Sequence, residues 1–198
     1  MKKQEKFLSK ANDREVWDMI VIDLETTGLD VNENGIISIG AVDFDNQDNT
    51  FYCECNLREG FKLDPKSIDI HGFTEEQINN LKNTEEELLR KFLKWCENIE
   101  DKTLGGHNLQ FDIDFLQRAF KLNNLPWIFR FRFVDLHSVA YFHFMKNKLD
   151  IPLKYNLSHL TLDTILAFLG IKERQGYHNA LTDAKLTAKA FAEFLNNK

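Results

Sequence analysis

The chain has 198 residues, 43% apolar and 12% aromatic, with 17 Phe, which is enough to bury an aromatic-rich core in one domain. A formal net charge of −6 argues against bulk electrostatic attraction as its means of holding nucleic acid. Cys53, Cys55 and Cys96 form no CxxC pair and are too few for a disulfide framework, which argues against a structural zinc site. No window approaches 18 consecutive apolar residues and the start does not resemble a signal peptide, so a soluble, cytoplasmic protein with no membrane partner is expected.

Residues 1–13 are lysine-rich and aperiodic and read as a flexible tail, leaving 14–198 as the folded domain. The run DMIVIDLE (18–25) is apolar between charges and predicts a buried strand. IISIGAVDF (36–44) follows the turn signal Asn34-Gly35, and TFYCECN (50–56) alternates well enough for a third strand; short links suggest an antiparallel meander. Thr74 to Gln77 and Thr84 to Glu87 have capping-box spacing, and the second opens a helix with Leu88, Leu89, Phe92, Leu93 and Trp95 on one side. A short strand TLGG (103–106) leads into the helix HNLQFDIDFLQRAFKL. FRFVDL (131–136) reads as strand, HSVAYFHFM as helix and KNKLDIPLKYN as loop. LSHLTLDTILAFLG is a helix stopped by Gly170, and NALTDAKLTAKAFAEFLNN is a long Ala-rich helix. The order βββ-α-β-α-β-α-α is that of an α/β sheet protein.

Between 115 and 149, Arg118, Lys121, Arg130, Arg132, Lys146 and Lys148 face Asp135 alone, inside an acidic chain. Such a block is either a solvated face or a track for an anionic polymer.

Asp23 and Glu25 stand two apart at the end of the first strand, so both side chains share one face. Adjacent like charges at the end of a buried strand are costly unless a cation lies between them, and hard Mg²⁺ or Mn²⁺ takes carboxylate oxygens. Gly28 beyond the pair suits a tight turn or a close approach. The spacing His-Asn-x-x-x-Asp then occurs twice, as HNLQFD (107–112) and HNALTD (178–183). In each, Asn108 or Asn179 fits the helix N-cap and places Asp112 or Asp183 one turn in, where the helix dipole favours a carboxylate. Taken singly, each acid also reads as an ordinary strand-end or helix-start charge, and His178 as a surface histidine. Taken together, four carboxylates at element ends fit a pair of divalent ions roughly 3.5–4 Å apart, used for in-line attack on phosphorus. His178, on the loop before the last helix, would then take a proton from water.

IDLETTGL (22–29), HNLQFDIDFL (107–116) and HNALTDA (178–184) resemble, in order, the three motifs of the DEDDh 3′–5′ exonucleases. That family includes the proofreading subunit of bacterial DNA polymerase III and ribonuclease T. IHGFTEEQI (70–78) is similar to the family's His-Gly-Ile-Thr stretch, with Phe73 where Ile is usual, and the likeness runs from about 17 to 195. The resemblance implies a ribonuclease-H-like fold with a mixed five-stranded sheet flanked by helices. It implies Asp23, Glu25, Asp112 and Asp183 as ligands of two Mg²⁺ or Mn²⁺ ions and His178 as general base. His178 lies five before Asp183, as in the His-type subfamily; the Tyr-type would have Tyr where Asn179 stands. Leu24, Thr26 and Leu29 match positions that hold the terminal nucleotide, and His71, Phe73, Asn108 and Phe111 would line the same pocket, with His107 beside them.

The implied function is release of nucleoside monophosphates from single-stranded 3′ ends, DNA first. RNA trimming and a non-catalytic module docked on nucleic acid or a polymerase subunit are the alternatives. Phe73 suggests base stacking worth about 1–3 kcal/mol, which does not choose between sugars.

Overall fold

The computed structural model describes residues 19–172 and 176–196. The segment 1–13 expected to form a tail, and the start of the first predicted strand, lie outside the described residues. Strands β1 (Ile20–Thr26), β2 (Ile36–Asp43) and β3 (Thr50–Glu54) form the antiparallel meander that the short links suggest. β4 (Leu104–Gly106) adds parallel to the other edge of β1, and β5 (Phe133–Asp135) adds parallel to β4. The result is a mixed five-stranded sheet in the order β3-β2-β1-β4-β5, as expected.

Helices cover both faces of the sheet. After β3 come α1 (Pro65–His71), α2 (Glu75–Asn79) and α3 (Glu85–Cys96). Both expected capping boxes form, at Thr74 with Gln77 and at Thr84 with Glu87. α4 (Leu109–Leu122) follows β4, α5 (Leu136–Lys146) follows β5, and α6 (Leu162–Phe168) and α7 (Ala180–Asn196) close the chain. Gly170 sits at positive φ just beyond α6, where Ile171 N–H closes on the Leu166 carbonyl.

Strand alternation divides the core. Ile20, Ile22 and Leu24 point to the face covered by α3 and α4, where Phe92, Phe115 and Phe120 are fully buried. Each such Phe is worth about 1.5–3 kcal/mol of burial, so the expected aromatic core is built largely on this side. Met19 and Val21 point to the opposite face, among Leu136, Phe144, Leu166, Ala184, Ala188 and Phe191 of α5, α6 and α7. The small residues Ala180, Ala184 and Ala188 let α7 lie close to the sheet. Gly40 on β2 is the tightest point, since a Cβ there would stand 2.1 Å from the Ala180 carbonyl carbon.

Several expectations are corrected. The strand expected over 131–136 is confined to β5, whose pairing with β4 begins only at Phe133. A two-stranded hairpin spans the end of the predicted loop and the start of the predicted helix after it: β6 (Leu153–Lys154) and β7 (Leu157–Ser158), turned by Tyr155 and Asn156 at positive φ. The helix predicted from Leu157 starts only at Leu162, where the Thr161 hydroxyl caps it. Arg118 does not belong to a basic track. Its guanidinium donates to the Val31 and Asn34 carbonyls and lies 4.2 Å over the Phe61 ring, which ties α4 to the loop after β1. All three cysteines are buried and free. Among the described residues no helix is long and apolar enough to cross a membrane.

Candidate active site

β1, β4 and β5 all end at one side of the sheet, and a cleft of about 870 Å³ opens there. α/β sheets commonly place their sites outside the carboxyl ends of strands. Asp23 and Glu25 continue the Met19, Val21 series along β1, so they face α7. The register sets Asp23 opposite Gly40 and Glu25 opposite Ser38. Gly40 is also where the start of α7 meets the sheet. Asp183, one turn into α7, therefore arrives beside Glu25.

One ligand atom from each of Glu25, His178 and Asp183 lies within 4.8 Å of the others. His178 Nδ1 is 3.5 Å from Asp183 Oδ2. The start of α7 is fixed as the spacing predicts. Asn179 Oδ1 accepts the Thr182 N–H at 3.1 Å, and the Asp183 N–H closes on the Asn179 carbonyl. Asn179 Nδ2 donates in turn to the Tyr52 hydroxyl at 3.2 Å, and that hydroxyl donates to Glu54 at 2.6 Å. Burial, reinforced by the Glu54 carboxylate, pushes the Tyr52 phenol above its ordinary value. The His178 N–H bonds the Ile70 carbonyl at 2.9 Å, and the Tyr177 ring rests on Gly72, where a Cβ would come within 2.5 Å of it. α1 and β3 thus both hold the short segment that carries His178.

Asp112 reaches the cleft from the other face of the sheet. Its Oδ1 accepts the Leu24 N–H at 2.9 Å, between Asp23 and Glu25 in sequence. Burial pushes its carboxyl well above the usual range; the Leu24 and Asp112 amides oppose the shift, and the charges of Glu25 and Asp135 add to it. A carboxyl group so buried among acids favours a cation or a proton nearby.

The helix start at Asp112 is not built as the sequence suggests. Asn108 adopts a left-handed conformation, φ 56°, and makes no side-chain cap bond. Asp135, at the end of β5, supplies the cap: its Oδ2 accepts the Leu109 N–H at 2.8 Å, and its Oδ1 accepts the Ser138 N–H at the start of α5. One carboxylate therefore caps two helices. Sequence reasoning counted Asp135 only as a stray acid in a basic stretch. Its position just before a helical pattern is a signal for the α5 cap; the α4 cap depends on the β4–β5 pairing.

Of the other expected pocket residues, Leu24, Thr26, Leu29, His71, His107, Asn108 and Phe111 line the cleft. Thr26 donates its hydroxyl to the Gly28 carbonyl, and Leu29 stands 79% exposed at the rim. His71 is buried. Its Nδ1 accepts the Phe73 N–H at 3.0 Å, and burial, with His178 adding, holds its pKa below the ordinary value. His107 bonds the Leu160 carbonyl through Nε2 at 2.9 Å, and burial lowers its pKa too. Phe73 is not brought into the cleft. Its ring abuts His71, centroid to centroid 5.5 Å, and it lines a separate shallow depression with Thr74 and Gln77. The turn after Gly72 carries it there.

A family model described as Exonuclease matches residues 20–191. The chain is 32% identical over 177 residues to a PolC-type DNA polymerase III of Thermotoga maritima, covering 89% of this chain and 12% of the relative. It is 28% identical over 184 residues to a DNA polymerase III subunit epsilon of Pasteurella multocida, covering 87% of this chain and 66% of that one. The chain thus spans about an eighth of the length of the PolC-type relative. Among solved structures, the zinc-bound complex of E. coli ExoI with single-stranded DNA superposes with TM-score 0.74 at 18% identity, over 90% of this chain and 40% of that one. An exonuclease I bound to an inhibitor superposes with TM-score 0.75 at 16% identity, over 93% and 42%. These likenesses carry the fold, the ribonuclease-H-like arrangement expected.

Proposed function

The chain belongs to the exonuclease family, and from that premise we propose that it is a metal-dependent 3′–5′ exonuclease acting on single-stranded ends, with DNA as substrate. One observation carries the reading: ligand atoms of Glu25, His178 and Asp183 converge within 4.8 Å in a cleft that Asp23 and Asp112 also line. The donor set fits a hard divalent cation. It is mostly carboxylate oxygen, it holds no thiolate, and Asp112 sits in surroundings that favour a neutralising charge. Asp23, Glu25, Asp112 and Asp183 would hold two ions, Mg²⁺ or Mn²⁺. Bound there, the ions supply the Lewis acidity that makes a water nucleophilic and offsets charge building on the phosphate.

The protein's own residues do the rest. His178 takes the proton from the attacking water, with Asp183 at 3.5 Å orienting the ring. The water oxygen bonds to phosphorus as the bond to the 3′ oxygen of the preceding nucleotide breaks. The products are a nucleoside 5′-monophosphate and a strand shortened by one, with a free 3′ hydroxyl. Thr26, Leu29 and Phe111 on the cleft wall would position the terminal nucleotide. DNA is preferred because the relatives named above are DNA polymerase III proteins and the superposed ExoI holds single-stranded DNA. The same names support a polymerase subunit as a protein partner.

The test is digestion of 5′-labelled single-stranded DNA and RNA of one sequence, with Mg²⁺, Mn²⁺ or EDTA, resolved over time. A descending ladder in metal, absent in EDTA and faster for DNA, is expected. Asp112→Ala should abolish the ladder while keeping a cooperative melt; an active Asp112→Ala protein sinks the assignment of roles. A faster RNA ladder turns the reading to RNA trimming, and tight binding without cleavage turns it to a docking module.

A further inference from the structure

The sequence Arg130-Phe131-Arg132-Phe133 alternates cation and ring and enters the cleft lining at Phe133. The chain is packed in the core at Phe129, which is 3% exposed, stacks with Phe92 and meets Trp127 edge-on, and it is buried again at Leu136. Between them it runs over the surface and down into the cleft. Phe131 is 91% exposed, Phe133 is 37% exposed and lines the cleft, and Asp135 lies on the cleft wall itself. β5 begins only at Phe133, and the exposed Arg130, Phe131 and Arg132 form the irregular segment that leads into it.

Phe131 stands in water between two exposed arginines, two residues before the cleft-lining Phe133, and so offers a contact surface at the approach to the cleft. The kind of partner follows from the alternation. Interleaved arginine and aromatic side chains suit a strand that offers both flat faces and phosphates. Through Phe133 the segment also leads into the wall that would hold the terminal nucleotide.

We propose that Arg130, Phe131 and Arg132 form an extended subsite for single-stranded nucleic acid, which stacks a base 5′ of the terminal nucleotide on Phe131 and neutralises the adjoining phosphates. The subsite rests on the exonuclease reading, and it gives a net-acidic protein its hold on a polyanion by a short local track. It predicts that affinity grows with strand length until the track is filled.

The experiment compares wild type, Phe131→Ala, Arg130→Ala/Arg132→Ala and, as an exposed aromatic outside the cleft lining, Phe142→Ala. Each is assayed on the p-nitrophenyl ester of thymidine 5′-monophosphate, on a dinucleotide and on single-stranded DNA of increasing length. In wild type, KM should fall as the strand lengthens beyond two nucleotides. Phe131→Ala should raise KM for the long strand by roughly fivefold or more, the loss expected for one stacked base, with kcat and ester hydrolysis unchanged. The double arginine variant should do the same and should flatten the dependence of log KM on log salt by about 0.7 per arginine. Phe142→Ala should match wild type. Normal ester and dinucleotide hydrolysis with no dependence on length overturns the track alone, and so does a length dependence that survives in Phe131→Ala. If wild type hydrolyses neither small substrate nor strand, the exonuclease reading falls and the track with it.

Discussion

Replacement of Asp135 by Ala separates the cap that the structure shows from the one the sequence suggests. The carboxylate accepts N–H groups at two helix starts, from Leu109 at 2.8 Å and Ser138 at 3.2 Å, one with each oxygen. Loss of a single N-cap costs about 1 kcal/mol, so the two together cost about 2 kcal/mol if the truncated side chain leaves both amides without a partner. At about 2–4 °C per kcal/mol for a chain of this size, the melting temperature should fall by about 4–8 °C. Asp64→Ala removes one cap, the Lys66 N–H bond at the start of α1, and sets the scale for a single loss, about 2–4 °C. Asp135 also adds to the upward shift of Asp112, so its removal relieves some repulsion and pulls the result toward the lower figure. Thermal unfolding followed by circular dichroism, in EDTA so that no metal masks the difference, measures both variants. A fall in Asp135→Ala no larger than in Asp64→Ala would refute the double cap.

Further outcomes follow from the packing and the charges. Saturating Mg²⁺ or Mn²⁺ should raise the melting temperature by binding the native state alone, and Asp23→Asn should remove most of that rise; equal rises in both proteins count against the site. Gly40→Ala places a methyl 2.1 Å from the Ala180 carbonyl carbon and must lift the start of α7, at a cost of about 1–3 kcal/mol or more and a larger fractional loss of activity than of folded protein. A Gly40→Ala protein with wild-type turnover would mean that the α7 contact does not set the site. Burial lowers the pKa of His107, so its contribution is complete above the ordinary imidazole value near 6.5 and is lost as pH falls below it. The stability gap between wild type and His107→Gln should therefore narrow on acidification, and a gap that widens between pH 7 and 5 rejects that sign.

What could be read from the sequence was local. The apolar run before Asp23 marks β1 as central, and the Thr-x-x-Gln and Thr-x-x-Glu spacings mark two helix starts, because each needs only residues within one turn. Asn179 obeyed the same rule and Asn108 did not. Nothing local distinguishes them; Asn108 is displaced because β5 pairs with β4 and brings Asp135 against the Leu109 amide, 26 residues away. Arg118 failed for the same kind of reason. In sequence it joins a run of basic residues, whereas in the fold it lies under the loop after β1, whose carbonyls at Val31 and Asn34 need donors. Phe73 was assigned by likeness to a motif, and the turn at Gly72 carries its ring outside the cleft.

The convergence of the acids follows from strand alternation and sheet order together. β1 is the centre of the sheet, antiparallel to β2 on one side and parallel to β4 on the other. Its odd positions face α7 and its even positions face α4. Glu25 therefore meets Asp183 where Gly40 lets the start of α7 approach the sheet, with Asp23 on the same face of β1. Asp112 belongs to the helix on the opposite face, and it joins them only by reaching past the end of the strand to the Leu24 amide. That hydrogen bond links the two halves of the site, and it depends on the first turn of α4, which Asp135 fixes. A residue outside these four acids thus helps to hold the fourth carboxylate beside the other three.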